Sequence, residues 1–337
     1  MVDSYRHTGR KNKEIYVMFI CPKCKSTMKL PRCFCGYEAK QTKNIWQLTD
    51  MPDIVTNGNG NKYIGYEHIG EAYSGSRKYL IEEPNAIFAE EISTLTGDGI
   101  FLDLACGDGC FTVPCAANGT KIIAGDISNK MLSILVEKAK YNSISLDNVT
   151  LCRMNALSIP ICDESVDTVV ANSVLHLISN PEKVVLEVYR VLKKGGAFIC
   201  KDDAPGKTPE TAFDNSLYFE IVNTMYRKYW ERINALGIYA KKYSWKFDRN
   251  AFCDKVFSKK SEKIIERNKL YEIPLKDGFL PRFLARGFSD QVDIPKNVHD
   301  AIIQELLQDF KEKYGEDFAN ISLKGMEENI AVTIYYK

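Results

Sequence analysis

A glycine-rich turn bordered by acidic residues lies in the first half of the chain. Residues 100–112 read I-F-L-D-L-A-C-G-D-G-C-F-T, so an apolar run ends near an acid and two glycines follow. Gly107 and Gly109 carry no Cβ, which lets the backbone turn sharply and approach a ligand closely. Asp103 lies at the carboxyl end of the predicted strand, where ligands of open parallel sheets bind. Asp103 and Asp108 around the turn favour a cationic ligand over a pyrophosphate.

A second acidic strand end follows at Asp126, which closes the apolar run K-I-I-A-G-D. In nucleotide-binding βαβ units, a carboxylate at this place accepts hydrogen bonds from the ribose hydroxyls. The turn and Asp126 together predict a site for a ribose-bearing cofactor. A dinucleotide-binding Rossmann turn is the alternative, and it is disfavoured because the run is not G-x-G-x-x-G.

Four motifs in sequence order resemble those of class I S-adenosylmethionine-dependent methyltransferases of the type 11 kind. They read L-D-L-A-C-G-D-G-C-F, I-A-G-D-I-S-x-x-M-L, P-I-C-D-E-S-V-D-T-V-V-A-N-S-V-L-H-L-I and V-L-K-K-G-G, and they cover about residues 63–205. The resemblance implies an enzyme that uses S-adenosyl-L-methionine as its cofactor. It also implies a Rossmann-like, doubly wound α/β fold with a seven-stranded sheet.

The same resemblance implies which residues contact the cofactor. These positions are Tyr73, Arg77, Asp103, Ala105, Cys106, Gly107, Gly109, Asp126, Ile127, Met131, Asn155, Ala156, Asn172 and Ser173. Asp126 would hold the ribose, while Ile127 and Met131 would pack on the adenine side. Asn155 stands where the family usually has Asp, and its oxygen can still accept a hydrogen bond from the adenine amino group.

A proton acceptor is needed only if the methyl acceptor must lose a proton. His176 follows the fourth predicted strand on the ligand side, and histidine titrates near neutral pH. We therefore expect His176 to be the catalytic base, with simple packing against the cofactor as the alternative. Asp202 and Asp203, at the end of the fifth strand, are further alternatives.

Four cysteines form a cluster before these motifs. Cys21 and Cys24 are separated by two residues in a C-x-x-C pair, and Cys33 and Cys35 form a C-x-C pair. Four thiolates in two close pairs match tetrahedral Zn²⁺ ligation. We predict a zinc ribbon over residues 15–50, with four unrelated buried thiols as the alternative.

The ribbon resembles those in front of some type 11 methyltransferases and those of ribosomal-RNA guanine methyltransferases. In the second family the ribbon helps to hold RNA. Two roles remain open. Zinc can simply fold a segment that is too short to hold itself together. The basic side chains could instead contact RNA, although such residues also occur on ordinary solvated surfaces; they are Lys23, Lys25, Lys29, Arg32, Lys40 and Lys43.

Hydrophobic periodicity predicts the elements that position these residues. It predicts helices over residues 83–95, 129–141, 181–192 and 299–315. It predicts strands over residues 100–104, 121–126, 149–154, 167–171, 197–201 and 329–336. Because strands and helices alternate through the core, we expect a parallel sheet with helices on both faces.

The expected domain organisation has six parts. They are a flexible amino terminus (1–14), the zinc ribbon (15–50), a linker (51–62), the cofactor-binding core (63–204), a helical lid or substrate insertion (205–290) and a segment that completes the core sheet (291–337). The insertion is rich in aromatic residues, which suits an apolar pocket, although an ordinary aromatic core is the alternative. These residues are Phe213, Tyr218, Phe219, Tyr226, Tyr229, Trp230, Tyr239, Tyr243, Trp245 and Phe247.

Composition limits the partners and the compartment. The 45 Lys and Arg residues against 44 Asp and Glu residues give a net charge of +1, which does not indicate a nucleic-acid binder. The odd count of 11 cysteines favours a reducing compartment over a disulfide framework. A signal peptide and a membrane-spanning segment are not expected, so we predict a cytoplasmic protein without membrane contact.

The leading functional hypothesis is methyl transfer to a small or medium-sized molecule enclosed by the lid. An RNA methyltransferase that uses the ribbon to bind RNA is the second hypothesis. The third is a non-catalytic module that binds S-adenosylmethionine, which the presence of the acidic and glycine motif residues argues against. The oligomeric state and the acceptor atom do not follow from the sequence.

Overall fold

The computed structural model describes residues 18–49, 54–56, 62–64, 82–178, 180–204, 213–238, 247–267, 270–288, 290–291, 294–326 and 329–337. Tyr73 and Arg77, two of the predicted cofactor contacts, lie outside the described residues. The same is true of the predicted flexible segment 1–14 and of three aromatic residues of the insertion, Tyr239, Tyr243 and Trp245.

The secondary structure follows the predicted alternation. The strands of the described segments are β1 (Phe19–Ile20), β2 (Thr27–Met28), β3 (Lys40–Thr42), β4 (Ile45–Gln47), β5 (Ile54–Thr56), β6 (Lys62–Ile64), β7 (Ile100–Leu104), β8 (Lys121–Asp126), β9 (Val149–Arg153), β10 (Val166–Val170), β11 (Leu192–Ala204), β12 (Lys259–Ile265), β13 (Leu270–Pro274), β14 (Ser322–Met326) and β15 (Asn329–Tyr336). The helices are α1 (Glu83–Thr96), α2 (Thr112–Ala117), α3 (Asn129–Tyr141), α4 (Pro181–Val191), α5 (Ser216–Ala235), α6 (Arg249–Val256), α7 (Phe279–Leu284) and α8 (Lys296–Tyr314), with 3₁₀ turns at Leu175–Leu177 and Glu316–Asn320.

One sheet dominates the fold and has the order β12-β15-β11-β10-β7-β8-β9-β4-β3. The strands from β9 to β11 are parallel, whereas β15 is antiparallel to both of its neighbours. The seven strands from β12 to β9 form the predicted seven-stranded Rossmann-like sheet. The sheet is larger than predicted, because β4 pairs in parallel with β9 and β3 pairs with β4.

Alternating side chains of the central strands bury on the two faces of the sheet, as a pleated strand requires. Phe101 of β7 packs in a hydrophobic cluster with Phe88 of α1 and Leu132 of α3. The next residue, Leu102, packs in the opposite cluster with Val188 of α4. Helices therefore cover both faces, and the parallel strands read as continuous apolar runs for that reason.

Caps fix the starts of two core helices close to their predicted positions. Ser128 accepts a hydrogen bond from the Met131 amide at 3.1 Å and begins α3. Asn180 accepts one from the Lys183 amide at 3.0 Å, immediately before Pro181. A side-chain cap and a proline in the first turn both favour a helix start, because the first amides have no partner inside the helix.

The carboxyl-terminal half differs from the predicted division in two respects. Strand β12 belongs to the core sheet, although it falls within the range assigned to the insertion (205–290). Helix α8 lies in the range 291–337, which was predicted to complete the core sheet. Among the described residues, the helix packs against α5 and not against the sheet. The two regions together form a helical unit with its own hydrophobic core and the small β13–β14 sheet.

The aromatic residues of α5 lie mainly inside this unit. Tyr218 and Tyr229 are buried there with Phe283 of α7, and Tyr226 and Trp230 pack against the same cluster. For these residues the structure shows the aromatic core that was the alternative to an open pocket. None of the helices in the described part of the chain combines the length and apolar character needed to cross a bilayer.

Candidate functional site

The glycine-rich turn after β7 returns the backbone toward the neighbouring strand β8. Ala105, Gly107 and Gly109 all have positive φ angles, of 57°, 55° and 79°. The amide of Cys106 donates to the Gly125 carbonyl of β8 at 3.0 Å. A Cβ on Gly109 would lie 2.5 Å from the Leu135 Cγ, so glycine is required there by contact as well as by conformation.

Asp126, at the end of β8, is the best-fixed carboxylate of the site. The Gly107 amide donates to its Oδ2 and the Ser128 amide to its Oδ1, both at 2.9 Å. The two donors come from different loops, so the carboxylate ties the glycine turn to the start of α3. Each carboxylate oxygen can accept more than one hydrogen bond, which suits the recognition of neighbouring hydroxyl groups.

Asp103 lies beside this carboxylate and is buried, with 2% of its surface exposed. The Thr112 hydroxyl donates to its Oδ2 at 2.6 Å. Burial raises the pKa of the Asp103 carboxyl to about 7, and the nearby charges of Asp126 and Asp108 add to the increase. A cation bound next to this group would favour the charged form and lower the pKa again.

Asp108 does not contribute an uncompensated negative charge to the turn, contrary to the expectation that it favours a cationic ligand. Lys138 of α3 reaches it, with 3.2 Å between Nζ and Oδ2, and both side chains are nearly inaccessible to solvent. The pair fixes the turn against α3. Lys138 was not predicted as part of the site, because a lysine on an amphipathic helix is normally exposed.

Of the two predicted adenine-side residues, Met131 lies next to the glycine turn. Met131 is buried, and its Cε lies 3.4 Å from the position that a Cβ on Gly107 would occupy. Ile127 is half-buried in the segment between Asp126 and α3. Met131 therefore lies beside the glycine turn and Ile127 directly follows Asp126, and their contact with the adenine stays a prediction.

Asn155 and Ala156 follow the third parallel strand, and both are half-buried. The Asn155 Oδ1 accepts a hydrogen bond from the Leu157 amide at 2.9 Å. The oxygen that we expected to face the adenine amino group is thus already oriented by the local backbone turn. An amide oxygen has two lone pairs, so this bond is compatible with a second donor.

Asn172, Ser173 and His176 follow β10. Val170 of β10 is paired with Asp103 of β7, so these residues continue from the strand end that adjoins the acidic group. The Asn172 Nδ2 donates to the Ser173 hydroxyl at 3.1 Å, and Ser173 has a φ of 53°. His176 is exposed on a 3₁₀ turn, and partial desolvation by neighbouring atoms lowers the pKa of its imidazole.

The other acids considered as bases have different surroundings. Asp202 forms an ion pair with Arg249 of α6. This contact engages the Asp202 carboxylate with a side chain of α6. Asp203 lies in β11, paired with Ile330 of β15.

The four cysteines of the amino-terminal segment converge on one point. The sulfurs of Cys21, Cys24, Cys33 and Cys35 all lie within 4.8 Å of one another. Two of the separations, Cys21 to Cys35 and Cys24 to Cys33, are 3.7 and 3.6 Å. Tetrahedral Zn²⁺ with bonds of about 2.3 Å places its sulfurs about 3.8 Å apart. The donor set and its spacing therefore fit zinc.

Two backbone turns shape this cluster. The Lys25 amide donates to the Cys21 carbonyl and the Gly36 amide to the Cys33 carbonyl, each at 3.0 Å. Lys25 and Gly36 both have positive φ angles, of 61° and 82°. Each pair of cysteines is thus followed by a left-handed residue that folds the chain under the sulfurs.

Residues 102–200 match the model of a family described as a methyltransferase domain. The match agrees with the class that the motifs predicted for this part of the chain, the S-adenosylmethionine-dependent methyltransferases. Both the glycine turn and the ends of β8, β9 and β10 fall within the matched residues.

Curated relatives carry the same class name. An uncharacterised methyltransferase of Arabidopsis thaliana, described as chloroplastic, is 34% identical over 115 residues, which are 33% of this chain and 33% of that protein. The demethylmenaquinone methyltransferase of Symbiobacterium thermophilum is 31% identical over 142 residues, 40% of this chain and 56% of its own length. The one from Listeria welshimeri is 31% identical over 147 residues, 43% and 59% of the two chains. The chain thus spans between a third and three fifths of the length of these relatives.

Among solved structures, the YcgJ protein of Bacillus subtilis has a TM-score of 0.44 and 18% identity. The match covers 76% of this chain and 99% of that protein.

Proposed function

We propose that this protein transfers the methyl group of S-adenosylmethionine to a small or medium-sized acceptor. The observation that carries the proposal is the Asp126 carboxylate, which two backbone amides hold at the end of β8. A carboxylate fixed in this way beside a glycine turn is suited to the two hydroxyls of a ribose. The confirmed methyltransferase domain supports the same cofactor.

The remaining cofactor contacts follow from this placement. Asp103 would face the cationic methionine end, since its pKa of about 7 allows it to be charged when a cation is bound. Ile127 and Met131 would pack on the adenine, and Asn155 would accept from its amino group. Asn172 and Ser173, at the end of β10, would border the methyl group.

When bound, S-adenosylmethionine supplies a methyl group on a sulfonium, which is a good leaving group. The protein's main task is then to hold the acceptor in line with the donor, because orientation can provide most of the rate enhancement. His176 would take a proton from an acceptor that must lose one. Its lowered pKa keeps the imidazole neutral at physiological pH, which is the form that can accept a proton.

We assign the enclosure of the acceptor to the helical unit of α5, α7 and α8. The unit follows β11, whose carboxyl end lies at the same edge of the sheet as the ends of β7 and β10. Leu217 and Phe219, on α5, are about half exposed, at 45% and 49%. Exposed apolar side chains on this unit would suit an apolar acceptor. The names of the relatives from Symbiobacterium and Listeria also point to a small molecule.

We further propose that Cys21, Cys24, Cys33 and Cys35 bind one Zn²⁺ ion. Their sulfur spacing supports this assignment. Thiolates are the form of cysteine that ligates zinc.

The experiment is transfer of a labelled methyl group from S-adenosylmethionine into a cell lysate that is then separated into small-molecule, RNA and protein fractions. We expect label among the small molecules and none with Asp126→Ala. Label in RNA would instead support the ribbon as an RNA-binding element. A protein that binds the cofactor yet labels no fraction would be a non-catalytic module.

A further inference from the structure

The cysteine module, defined here as residues 18–49, does not end at the cysteines. Its hairpin β3–β4 joins the core sheet beside β9. The Trp46 and Gln47 positions pair with Cys152 and Arg153, and the Leu48 amide donates to the Arg153 carbonyl at 3.0 Å. The module is therefore continuous with the strand that adjoins β8.

Three residues on neighbouring strands fall in one row at the ligand edge of the sheet. Gln47 of β4 pairs with Arg153 of β9, which in turn pairs with Asp126 of β8. Asp126 begins the β8–α3 segment, defined here as residues 126–129. The module thus lies two strands away from the carboxylate assigned to the ribose.

Side chains bridge this distance. The Gln47 Nε2 donates to the Asn129 Oδ1 at 3.0 Å, and the Asn129 Nδ2 donates to the Gln47 Oε1 at 3.3 Å. Asn129 is the first residue of α3 and follows Ser128, whose amide holds Asp126. A reciprocal amide pair fixes both side chains in one orientation, so it fixes the far end of the β8–α3 segment.

Arg153 makes the second bridge. Its Nε donates to the Ile127 carbonyl at 2.9 Å, and a terminal guanidinium nitrogen donates to the Thr49 carbonyl at 3.0 Å. Because the guanidinium is planar and rigid, it holds these two carbonyls at a set distance. One belongs to the β8–α3 segment and the other to the module.

The hairpin is in turn held by the cysteine cluster. The Ala39 amide, next to β3, donates to the Pro31 carbonyl at 2.8 Å, and the Cys33 amide donates to the Tyr37 carbonyl at 2.9 Å. The residues between Cys35 and β3 are thus paired with those around Cys33. A hairpin of two short strands has little stability of its own, so its position depends on these anchors.

From these contacts we propose that Gln47 and Arg153 are positioning residues for the adenosine part of the cofactor, and that metal binding by the cysteines tightens cofactor binding through them. The proposal rests on the proposed function, which places adenosine at residues 126–131. In this proposal the cysteine module supports cofactor binding, and this role does not depend on the identity of the methyl acceptor.

The test measures the affinity of the full-length protein for S-adenosylhomocysteine by calorimetry, which needs no turnover. Gln47→Ala should weaken binding about fivefold or more, the range of a coupling of 1 to 3 kcal/mol. Gln41→Ala is the matched control, because Gln41 is an exposed glutamine of the same hairpin, and it should bind like the native protein. Arg153→Lys should also weaken binding, since lysine cannot bridge two carbonyls with a rigid fork.

Exchanging the side chains of Gln47 and Asn129 distinguishes a positioning role from a general loss of stability. Gln47→Asn and Asn129→Gln should each weaken binding, and the double exchange should restore it, because the summed length of the two side chains is unchanged. In methyl-transfer assays, Gln47→Ala should raise the KM for S-adenosylmethionine and leave kcat unchanged, as expected for a contact that does not reach the methyl group.

The last measurement repeats the affinity determination after the metal has been removed with a chelator. Affinity of the native protein for S-adenosylhomocysteine should fall, and that of Gln47→Ala should fall by a smaller factor, since its bridge is already broken. Unchanged affinity in both Gln47→Ala and Arg153→Lys would overturn the inference. Native protein that binds no S-adenosylhomocysteine would overturn the proposed function instead. Unchanged affinity of the native protein after removal of the metal would overturn the part of the inference that concerns the metal.

Discussion

Lys138 of α3 and Asp108 of the glycine turn form a buried ion pair, with 3.2 Å between Nζ and Oδ2. The pair joins the turn that faces the predicted cofactor to the helix that follows Asp126. Both charges are removed from water, so each depends on the other for compensation. The ion pair explains how an acidic residue can lie buried in this turn, although the Asp108 charge still contributes to the raised pKa of Asp103.

We predict that Lys138→Met destabilises the protein by about 3 to 5 kcal/mol, because it leaves the Asp108 carboxylate buried without a partner. The measurement is the free energy of unfolding in urea. Lys140→Met, on an exposed position of the same helix, should change this free energy by less than about 0.5 kcal/mol.

A second variant tests whether the unpaired charge is the cause. Combining Lys138→Met with Asp108→Asn removes both charges and should recover a large part of the lost stability. If the double variant is as unstable as the sum of the two single variants, loss of packing around Lys138 is the better explanation.

Asp103 should make cofactor affinity depend on pH. Its pKa is raised to about 7 by burial, whereas a bound cation favours the charged form. Below pH 7 the ligand-free protein carries a proton that must leave on binding, so affinity should fall by up to about tenfold per pH unit. Above pH 7 the proton is already absent and affinity should level off.

The measurement is the Kd for S-adenosylhomocysteine, whose ammonium group is cationic over this range, between pH 5.5 and 8.5. Asp103→Asn should bind weakly at every pH and show a flat profile. A native profile that is equally flat would contradict the assignment of Asp103 to the cationic end of the cofactor.

The site was predictable where it depends on local sequence. Gly107 and Asp126 were found because a turn with positive φ requires glycine and because the acid closes an apolar strand. The bounds of α3, residues 129–141, followed from the helical spacing of apolar residues. In each case the residues that form the sequence pattern and the local structure that they produce lie within the same short stretch of the chain.

Features that depend on distant pairing were not predictable. The strand β11 extends to Ala204 because β15 pairs with it from Ala197 onward. Most side chains of strand β12 are exposed, so its sequence lacks the alternation of a half-buried strand. For that reason the strand was not predicted, and its residues were assigned to the insertion. The bridge from Gln47 to Asn129 joins residues far apart in the chain, and neither residue type suggests the other.

Substitution of one cysteine should release the proposed metal. Cys21→Ser should reduce the zinc content of the purified protein from about one equivalent to a small fraction, since hydroxyl oxygen is a poor zinc ligand compared with thiolate. Cys162→Ser is the control, because its sulfur hydrogen-bonds to the Phe19 carbonyl and lies outside the four-sulfur group. The measurement is metal analysis by mass spectrometry. A full equivalent of zinc in Cys21→Ser would refute this ligand set.

The helical unit should lose stability in acid through His299. This residue is fully buried, its Nε2 donates to the Leu284 carbonyl at 3.1 Å, and its Nδ1 therefore accepts from the Tyr229 hydroxyl at 2.8 Å. Burial lowers the pKa of the His299 imidazole below the ordinary 6.5. The unfolded chain therefore binds the proton first as pH falls. The stabilising contribution of neutral His299 is complete above pH 6.5 and is lost as pH falls through that value toward the folded pKa.

His299→Gln keeps a donor for Leu284 and an acceptor for Tyr229 but does not titrate. We expect native protein to lose more free energy of unfolding between pH 7.5 and 5.0 than this variant does. Tyr229→Phe should cost about 1 kcal/mol at pH 7.5, and it should cost less at pH 5.0, where a protonated Nδ1 no longer accepts the hydroxyl. Equal pH dependence in native protein and His299→Gln would show that other groups cause the acid sensitivity.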